Sequence, residues 1–372
     1  MKKFFQLFTI ILLLTSCQNV RESTLVSGDP VTLSYAENLT LTDAGDYIQA
    51  VLRNPWDTAA ILQTYLLVPK ESPLPENLPN GIVIRTPLER TLVYSSVHCG
   101  MLYELGKVDA IAGVCDKQYI KLPPIQEGII NGTVADCGDN MNPNIEAIIQ
   151  LNPEAVLLSP YQNSGDYGKL GKLGIPIMQC ADYMETSALG RAEWVRFYGL
   201  LYGCTEQADA LFCEVEKQYN ALKEKASQAN ESPKVLSDSR YGQLWYVPGC
   251  YSTVGRIYKD AAAINPFDYL QQSGSAALAP EQVLDKAHDA DVWILKYNQV
   301  QEKTLEELAK DADINTQFKA FKEGNVWGCN TGISKFYEEA PYHPHLLLED
   351  LIRIFHPGLL EDGEMHYYHK LK

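Results

Sequence analysis

Hydrophobic and polar positions follow different periods in successive stretches of the chain. Between Val31 and Val68, Leu39-Thr40-Leu41-Thr42 alternates with a period of two and Tyr65-Leu66-Leu67-Val68 runs unbroken. These are the patterns of a half-buried and a fully buried strand. Pro73-Leu74-Pro75 then marks a loop, so a small β-rich extension over residues 31–80 is predicted. From Gly81 the texture becomes strand, polar loop and helix in succession. Thr91-Leu92-Val93-Tyr94 reads as strand, Ser95-Ser96-Val97-His98 as loop and Met101 to Leu105 as helix; Ile111-Ala112-Gly113-Val114 is the next strand, with loop residues Asp116 and Tyr119 after it. That alternation predicts a parallel sheet with crossover helices.

A helical period takes over from Leu189. Trp194, Phe197 and Leu201 share one face, Gly203 breaks the pattern, and Thr205 is a candidate N-cap for a second run through Ala208, Leu211, Phe212, Val215, Tyr219 and Leu222 to about Gln228. At 1.5 Å per residue the second run spans roughly 36 Å, the height of a lobe. Ala229-Asn230-Glu231-Ser232-Pro233 ends it, and Val235-Leu236 begins a second sheet.

One unit occurs on both sides of this helical stretch. In the first copy Pro143 stands at a helix start with Glu146 after it, Ile148 and Ile149 form an apolar face, and Ala155-Val156-Leu157-Leu158 is a buried strand. In the second, Pro280 and Glu281 open a helix, Val283 and Leu284 form the face, and Val292-Trp293-Ile294-Leu295 is the strand. Ten residues separate Glu146 from Val156 and eleven separate Glu281 from Val292, so two lobes of like construction are expected.

The first residues carry a different signal. Met1-Lys2-Lys3, an apolar run from Phe4 to Leu14 and Leu14-Thr15-Ser16-Cys17 form a lipoprotein leader with its cleavage box. The apolar run falls short of the ~20 residues of a spanning helix. Residues 1–16 are read as the leader, Cys17 as the lipidated first residue, and residues 17–30 as a polar tether to the bilayer. Gln18 after the cysteine favours the inner leaflet of an outer membrane, with surface display left open. The chain beyond the leader, roughly 355 residues, exceeds the ~250–300 at which single cores stop growing, which again implies two lobes.

The formal charge of the whole chain is −16, and removing Lys2 and Lys3 makes the remainder more acidic. That balance argues against nucleic acid or anionic lipid as partner. Apart from Cys17, the cysteines (Cys99, Cys115, Cys137, Cys180, Cys204, Cys213, Cys250, Cys329) contain no C-x-x-C and no zinc-type spacing. They read as small buried hydrophobes, with disulfides open in an oxidising compartment.

At Ser95-Ser96-Val97-His98, Asn144-Ile145-Glu146, Pro153-Glu154-Ala155-Val156-Leu157, Arg191-Ala192-Glu193-Trp194, Ala279-Pro280-Glu281-Gln282-Val283-Leu284, Ala290-Asp291-Val292-Trp293, Asp350-Leu351-Ile352 and Phe355-His356-Pro357, the chain resembles the solute-binding lipoproteins of ABC importers for ferric siderophores, haem and vitamin B12. The resemblance covers roughly Ile84 to Leu360. It implies an α/β fold of two Rossmann-like lobes with central parallel sheets, bridged by one long helix: residues 81–188, 189–232 and 233–372, preceded here by the β-rich extension. It also implies a monomer without a resident cofactor, whose cargo is an iron chelate, haem or a cobalamin. The partners implied are an ABC permease and its ATPase, docked through Glu146 and Glu281. Exposed carboxylates on separate lobes would steer and orient a basic partner; the alternative role for each is to complement its own helix dipole.

Ligands of open α/β sheets lie on the loops after the strands' carboxyl ends. In the first lobe those loops offer Ser95, His98, Tyr119, Tyr161 and Tyr183; in the second, Arg240, Tyr241, Trp245, Tyr251, Trp327 and Tyr337. Aromatic faces bury large planar or macrocyclic ligands while phenol and indole groups bond their polar edges, and Arg240 could pair with an acidic group.

Three other chemistries can be drawn from the same residues. His343 and His345, with Glu349 and His356 beyond, suit a metal by ligand type, although Pro344 also fits the first position of an inward-packing helix. His98 could be an axial ligand to haem iron or corrinoid cobalt. Ser95 and His98 with an aspartate would make a hydrolase triad, but no G-x-S-x-G, H-E-x-x-H or phosphate-cradling loop accompanies them. A carbohydrate-binding lipoprotein would use the same aromatics as sugar platforms. It has no evident need for the paired glutamate units.

Overall fold

The computed structural model describes residues 26–372 apart from residue 163, so the leader and Cys17 lie outside the described residues. The first sheet is built from β1 (Asp29–Val31), β2 (Leu39–Asp43), β3 (Ile48–Arg53), β4 (Ile61–Pro69) and β5 (Ile82–Thr86), in that spatial order. The first four pair antiparallel and β5 joins parallel to β4. The sheet of the extension therefore runs past residue 80, the boundary expected from sequence. Leu39, Leu41, Tyr65, Leu67 and Ile84 are buried in one continuous cluster with residues of both lobes and of the helices between them, so this sheet is packed onto the body of the protein rather than standing apart.

The first lobe continues as β6 (Thr91–Val93), α1 (Ser96–Glu104), β7 (Ile111–Val114), α2 (Pro123–Asn131), β8 (Ala135–Asp136), the hairpin of β9 (Gly138–Asp139) and β10 (Asn142–Pro143), α3 (Ile145–Leu151), β11 (Ala155–Leu158), the short α4 (Gly168–Gly171) and β12 (Ile177–Gln179). Its parallel sheet has the order β12-β11-β6-β7-β8. Val93 and Leu157 pack into the main core, while Leu92, Val156 and Leu158 pack into a second cluster on the opposite face. Burial on both faces is why these strands read as continuous apolar runs.

Three helices connect the lobes: α5 (Ala188–Glu193), α6 (Val195–Tyr202) and α7 (Thr205–Ala226). Gly203 ends α6 at φ 63°, a left-handed conformation that favours glycine. The cap of α7 is Cys204 rather than Thr205, which is its first helical residue.

The second lobe contains β13 (Val235–Ser237), β14 (Arg240–Tyr241), β15 (Leu244–Pro248), α8 (Thr253–Asp260), β16 (Ser275–Leu278), α9 (Pro280–Ala287), β17 (Val292–Tyr297), α10 (Leu305–Asp311), α11 (Lys319–Lys322), β18 (Val326–Asn330), α12 (Phe336–Glu339), α13 (Pro344–Phe355) and β19 (His369–Lys370). β13, β17 and β18 are parallel, with β19 antiparallel at the edge, and β14-β15-β16 form a separate antiparallel sheet. Trp245, Trp293 and Phe318 form the aromatic centre of this lobe, with ring centroids 5.4–5.8 Å apart. The fold is thus α/β, two lobes with parallel sheets joined through α5, α6 and the long α7.

Candidate functional site

An open cleft of about 800 Å³ lies at the carboxyl ends of both parallel sheets. Tyr94, Ser95 and Ser96 follow β6, Asp116, Tyr119 and Lys121 follow β7, and Leu158, Ser159 and Tyr161 end or follow β11. Asn140 and Met141 are the tip of the β9–β10 hairpin, Tyr167 precedes α4, and the second lobe contributes Asn298 after β17, Thr331 after β18 and Tyr337 in α12. Tyr119 and Tyr161 are each 53 % exposed and Tyr337 47 %, so their faces are open to a ligand.

Local geometry explains how these side chains are held. Ser95 caps α1, its Oγ accepting the Val97 N–H at 3.2 Å, which directs the amino end of α1 at the cleft. Asp116 adopts φ 50° and its Oδ1 accepts the Asn140 N–H at 3.3 Å, tying the loop after β7 to the hairpin tip. Burial raises the Asp116 carboxyl above its ordinary range. Lys121 reaches across to the second lobe: its backbone N–H donates to Glu338 Oε1 at 2.6 Å and its Nζ to the Thr331 carbonyl at 2.7 Å. The lobes also meet where Gly100 of α1 abuts the Glu338 backbone with no room for a side chain. Asp116 and Lys121 are the charged groups among the described lining residues; the others offer hydroxyls, amides and apolar surface.

Of the residues selected from sequence, Ser95, Tyr119, Tyr161 and Tyr337 line the cleft and the rest do not. His98 is a correction: the Ser95 cap starts α1 earlier than the polar loop implied, and His98 is fully buried, its Nε2 3.0 Å from Asp182 Oδ1. Asp182 also accepts from Arg191 Nε at 3.1 Å and from the Tyr198 hydroxyl at 3.3 Å. Burial pushes the Asp182 carboxyl up, but His98 and Arg191 outweigh it and hold it below its ordinary range. With its ring fully buried and its Nε2 on Asp182, His98 is not exposed to the cleft.

Trp245 is a second correction. It points inward from β15, fully buried, and donates its indole N–H to the Ser237 carbonyl at 2.8 Å. Trp327 is half-buried on β18 with its N–H on Asn325 Oδ1 at 3.1 Å. Tyr183 donates its hydroxyl to the Pro160 carbonyl at 2.5 Å, bracing the loop that carries Tyr161 from outside the cleft. Arg240 and Tyr241 are exposed on the edge strand β14, and Tyr251 lies beside Arg256, 5.9 Å from its guanidinium carbon.

The His/Glu constellation is also dispersed. His343 Nε2 lies 3.4 Å from Glu104 Oε2, Glu349 turns to Arg353 at 2.6 Å, and His356 contacts the Ala261 carbonyl at 2.8 Å. His345 is buried at the start of α13, its imidazole pushed down to about 4 by that burial. No group of three or more metal-ligating side chains with the spacing to hold an ion occurs among the described residues.

Glu146 and Glu281 are exposed in the first turns of α3 and α9. Pro280 is the first residue of its helix, whereas Pro143 belongs to β10 and Asn144 is the cap of α3, its Oδ1 accepting the Ala147 N–H at 3.0 Å. Sequence reasoning missed Tyr94, Lys121, Asn140, Met141, Ser159, Tyr167, Asn298 and Thr331. Several of them stand within a few residues of a predicted strand's carboxyl end, and the rule that found Tyr119 would have found them.

A family model described as periplasmic binding protein matches residues 92–331. The chain belongs to this family. An uncharacterized lipoprotein of Methanocaldococcus jannaschii is 28 % identical over 365 residues, covering 91 % of this chain and 85 % of the relative. Among solved structures, a periplasmic heme binding protein of Pseudomonas aeruginosa superposes with a TM-score of 0.60 at 14 % identity, covering 76 % of this chain and 98 % of its own. An ABC-type Fe3+-hydroxamate transport protein of Saccharomonospora viridis gives 0.56 at 16 % identity, covering 72 % and 93 %. The family is one of periplasmic solute-binding proteins. The matched segment begins within β6 and leaves the N-terminal sheet outside it.

Proposed function

We propose that this chain is the lipid-anchored receptor of an ABC importer, capturing a metal-chelate nutrient in the cleft and delivering it to a permease and its ATPase. The observation that carries this reading is the cleft itself, open at both sheets' carboxyl ends, walled by Tyr119, Tyr161 and Tyr337 and completed by residues of the second lobe. Its volume lies in the upper part of the ~300–1,000 Å³ range of small-molecule sites. The haem-binding and Fe3+-hydroxamate proteins of the same fold support the chelate class. One lysine and one carboxylate among hydroxyls and amides suit a chelate whose rim carries amide or hydroxyl groups better than a polyanion, whose charges would go unpaired. A corrinoid or a neutral hydroxamate complex fits that description better than a catecholate. Anchoring rests on Cys17, and docking on Glu146 and Glu281.

The test is isothermal titration of the chain lacking its leader against haem, cobalamin and paired ferric hydroxamate and ferric catecholate complexes. Saturable submicromolar binding of one chelate is expected. Folded protein that takes up none of them would overturn the reading. Heat rather than tryptophan emission is the readout because Trp245 lies in the core, away from the cleft.

A further inference from the structure

We propose that Cys115 and Cys137 are a covalent cross-linking site, closing a disulfide across the ends of β7 and β8 beneath the cleft wall by exchange with an external dithiol–disulfide oxidant. In the parallel pairing of these strands Gly113 stands opposite Ala135 and Val114 opposite Asp136, so the next residues, Cys115 and Cys137, face each other. The Cys137 N–H donates to the Val114 carbonyl at 2.8 Å and continues the ladder.

The side chains lie on one face. A Cβ placed on Gly113 would stand 3.3 Å from Cys137 Sγ, and Cys115, two residues on, projects to the same side as Gly113. Cys115 Sγ is 3.7 Å from the Cys137 carbonyl oxygen, and both residues are fully buried in the cluster that holds Tyr94, Leu92 and Val156. Neighbouring strands ~4.8 Å apart put opposed Cα atoms inside the ~4.4–6.8 Å window of a disulfide. The ladder also loosens at this point. The Asp116 N–H goes to the Gly138 carbonyl rather than to Cys137, and Asp116 and Gly138 take φ of 50° and 86°. The two residues at the junction are therefore less constrained than they would be in mid-sheet.

In the reaction each sulfur loses its proton and the pair gives two electrons to the donor's disulfide, which leaves as two thiols. Burial pushes the Cys137 thiol up to about 11 and the Cys115 thiol higher, so thiolate is scarce once the lobe has closed. The bond would form during folding and be shielded from reductant afterwards. Its place links the loop bearing Asp116 and Tyr119 to the hairpin bearing Asn140 and Met141, two parts of one cleft wall.

The test does not depend on the cargo. Full-length chain, unfolded and reduced, is refolded with oxidised glutathione or with reductant alone, then denatured, alkylated without reductant and mapped by mass spectrometry. With the oxidant, the expected result is two fewer alkylated thiols and a linked peptide pair containing Cys115 and Cys137. Cys115→Ser and Cys137→Ser should each lose that pair while keeping the circular dichroism of the parent. Full alkylation after oxidative refolding, or a linked peptide pair that joins other cysteines in place of Cys115 and Cys137, would overturn the assignment.

Discussion

Glu193 Oε2, fully buried at the end of α5, accepts the backbone N–H of Tyr35 at 2.7 Å. The same carboxylate takes the N–H groups of Ser34 and Ala36, each at 2.8 Å, and Arg196 Nη1 at 2.9 Å. The Tyr35 hydroxyl continues to Glu216 of α7 at 2.6 Å. One side chain thus holds the crossing between β1 and β2 against the helices that join the lobes. Glu193→Ala leaves these backbone donors without their acceptor and should cost roughly 3 kcal/mol. Urea unfolding would read it as a lower midpoint at unchanged slope; a loss below about 1 kcal/mol would mean that the extension is held mainly by its apolar face.

A second buried carboxylate makes a different prediction. Because His98 and Asp182 bond inside the core, His98→Ala should destabilise the fold and leave the absorption spectrum of a bound haem or corrinoid unchanged. Loss of a metal-ligand band in that variant, with the chain still folded, would return His98 to the cleft.

Glu185 contributes a definite sign to the pH dependence. Its carboxylate accepts from Trp194 Nε1 at 2.8 Å, the Glu37 N–H at 2.9 Å and the Asn38 N–H at 3.0 Å, yet burial dominates and raises its affinity for a proton. The native state then binds more protons than the unfolded chain between the ordinary glutamate value and the raised one. The Glu185 contribution to stability should fall as pH rises through that window and level off above it. Asp182, held low, contributes with the opposite sign, and that contribution is lost only as pH falls below the ordinary aspartate range. His345, whose imidazole burial pushes down to about 4, also contributes with the opposite sign over the range above it, so the Glu185 contribution is read as a difference. Unfolding free energies measured from about pH 4, near the ordinary carboxylate value, upward should fall less, or rise more, with pH in Glu185→Gln than in the parent.

The sequence made the architecture legible because both parallel sheets are buried on two faces and their strands are short apolar runs. Thr91 to Val93, Ile111 to Val114, Ala155 to Leu158 and Val292 to Leu295 are strands in the structure. The site was legible in proportion to the same signal: Ser95, Tyr119 and Tyr161 follow strands closely, and they line the cleft. Residue type misleads where it stands in for position. Trp245 alternates inward on β15, whose burial pattern leaves Leu244 and Tyr246 outside, and His98 follows a serine that caps a helix although its polar neighbours have the composition of a loop. Lys121 was missed because its role depends on Glu338 and Thr331, more than two hundred residues away, and local periodicity carries no trace of such a contact.

The cleft tyrosines separate binding from scenery. Tyr119→Ala, Tyr161→Ala and Tyr337→Ala should each weaken the chelate found by titration by roughly 5- to 30-fold, the loss of an exposed aromatic platform worth about 1–2 kcal/mol. Arg240→Ala and Tyr241→Ala, on the edge strand outside the cleft, should leave the affinity unchanged. If the second pair weakens binding and the first set does not, the ligand lies along the β14 edge instead.

The paired glutamates call for a readout that affinity cannot give. Glu146 and Glu281 are exposed, and each stands one turn or less from a helix start, Asn144 and Pro280 respectively. A purely local role would make each a modest stabiliser of its own helix, worth about 0.3–1 kcal/mol. A docking role makes them jointly necessary for transport, because opposite-charge contacts set association rate and register at an interface. Glu146→Arg combined with Glu281→Arg should abolish uptake by cells that depend on the receptor, with ligand affinity and unfolding midpoint close to the parent. Each single reversal should slow uptake and do so more strongly at low ionic strength, where the introduced repulsion is least screened. Normal uptake in the double variant would reduce both residues to helix caps and place the permease contact elsewhere on the lobes.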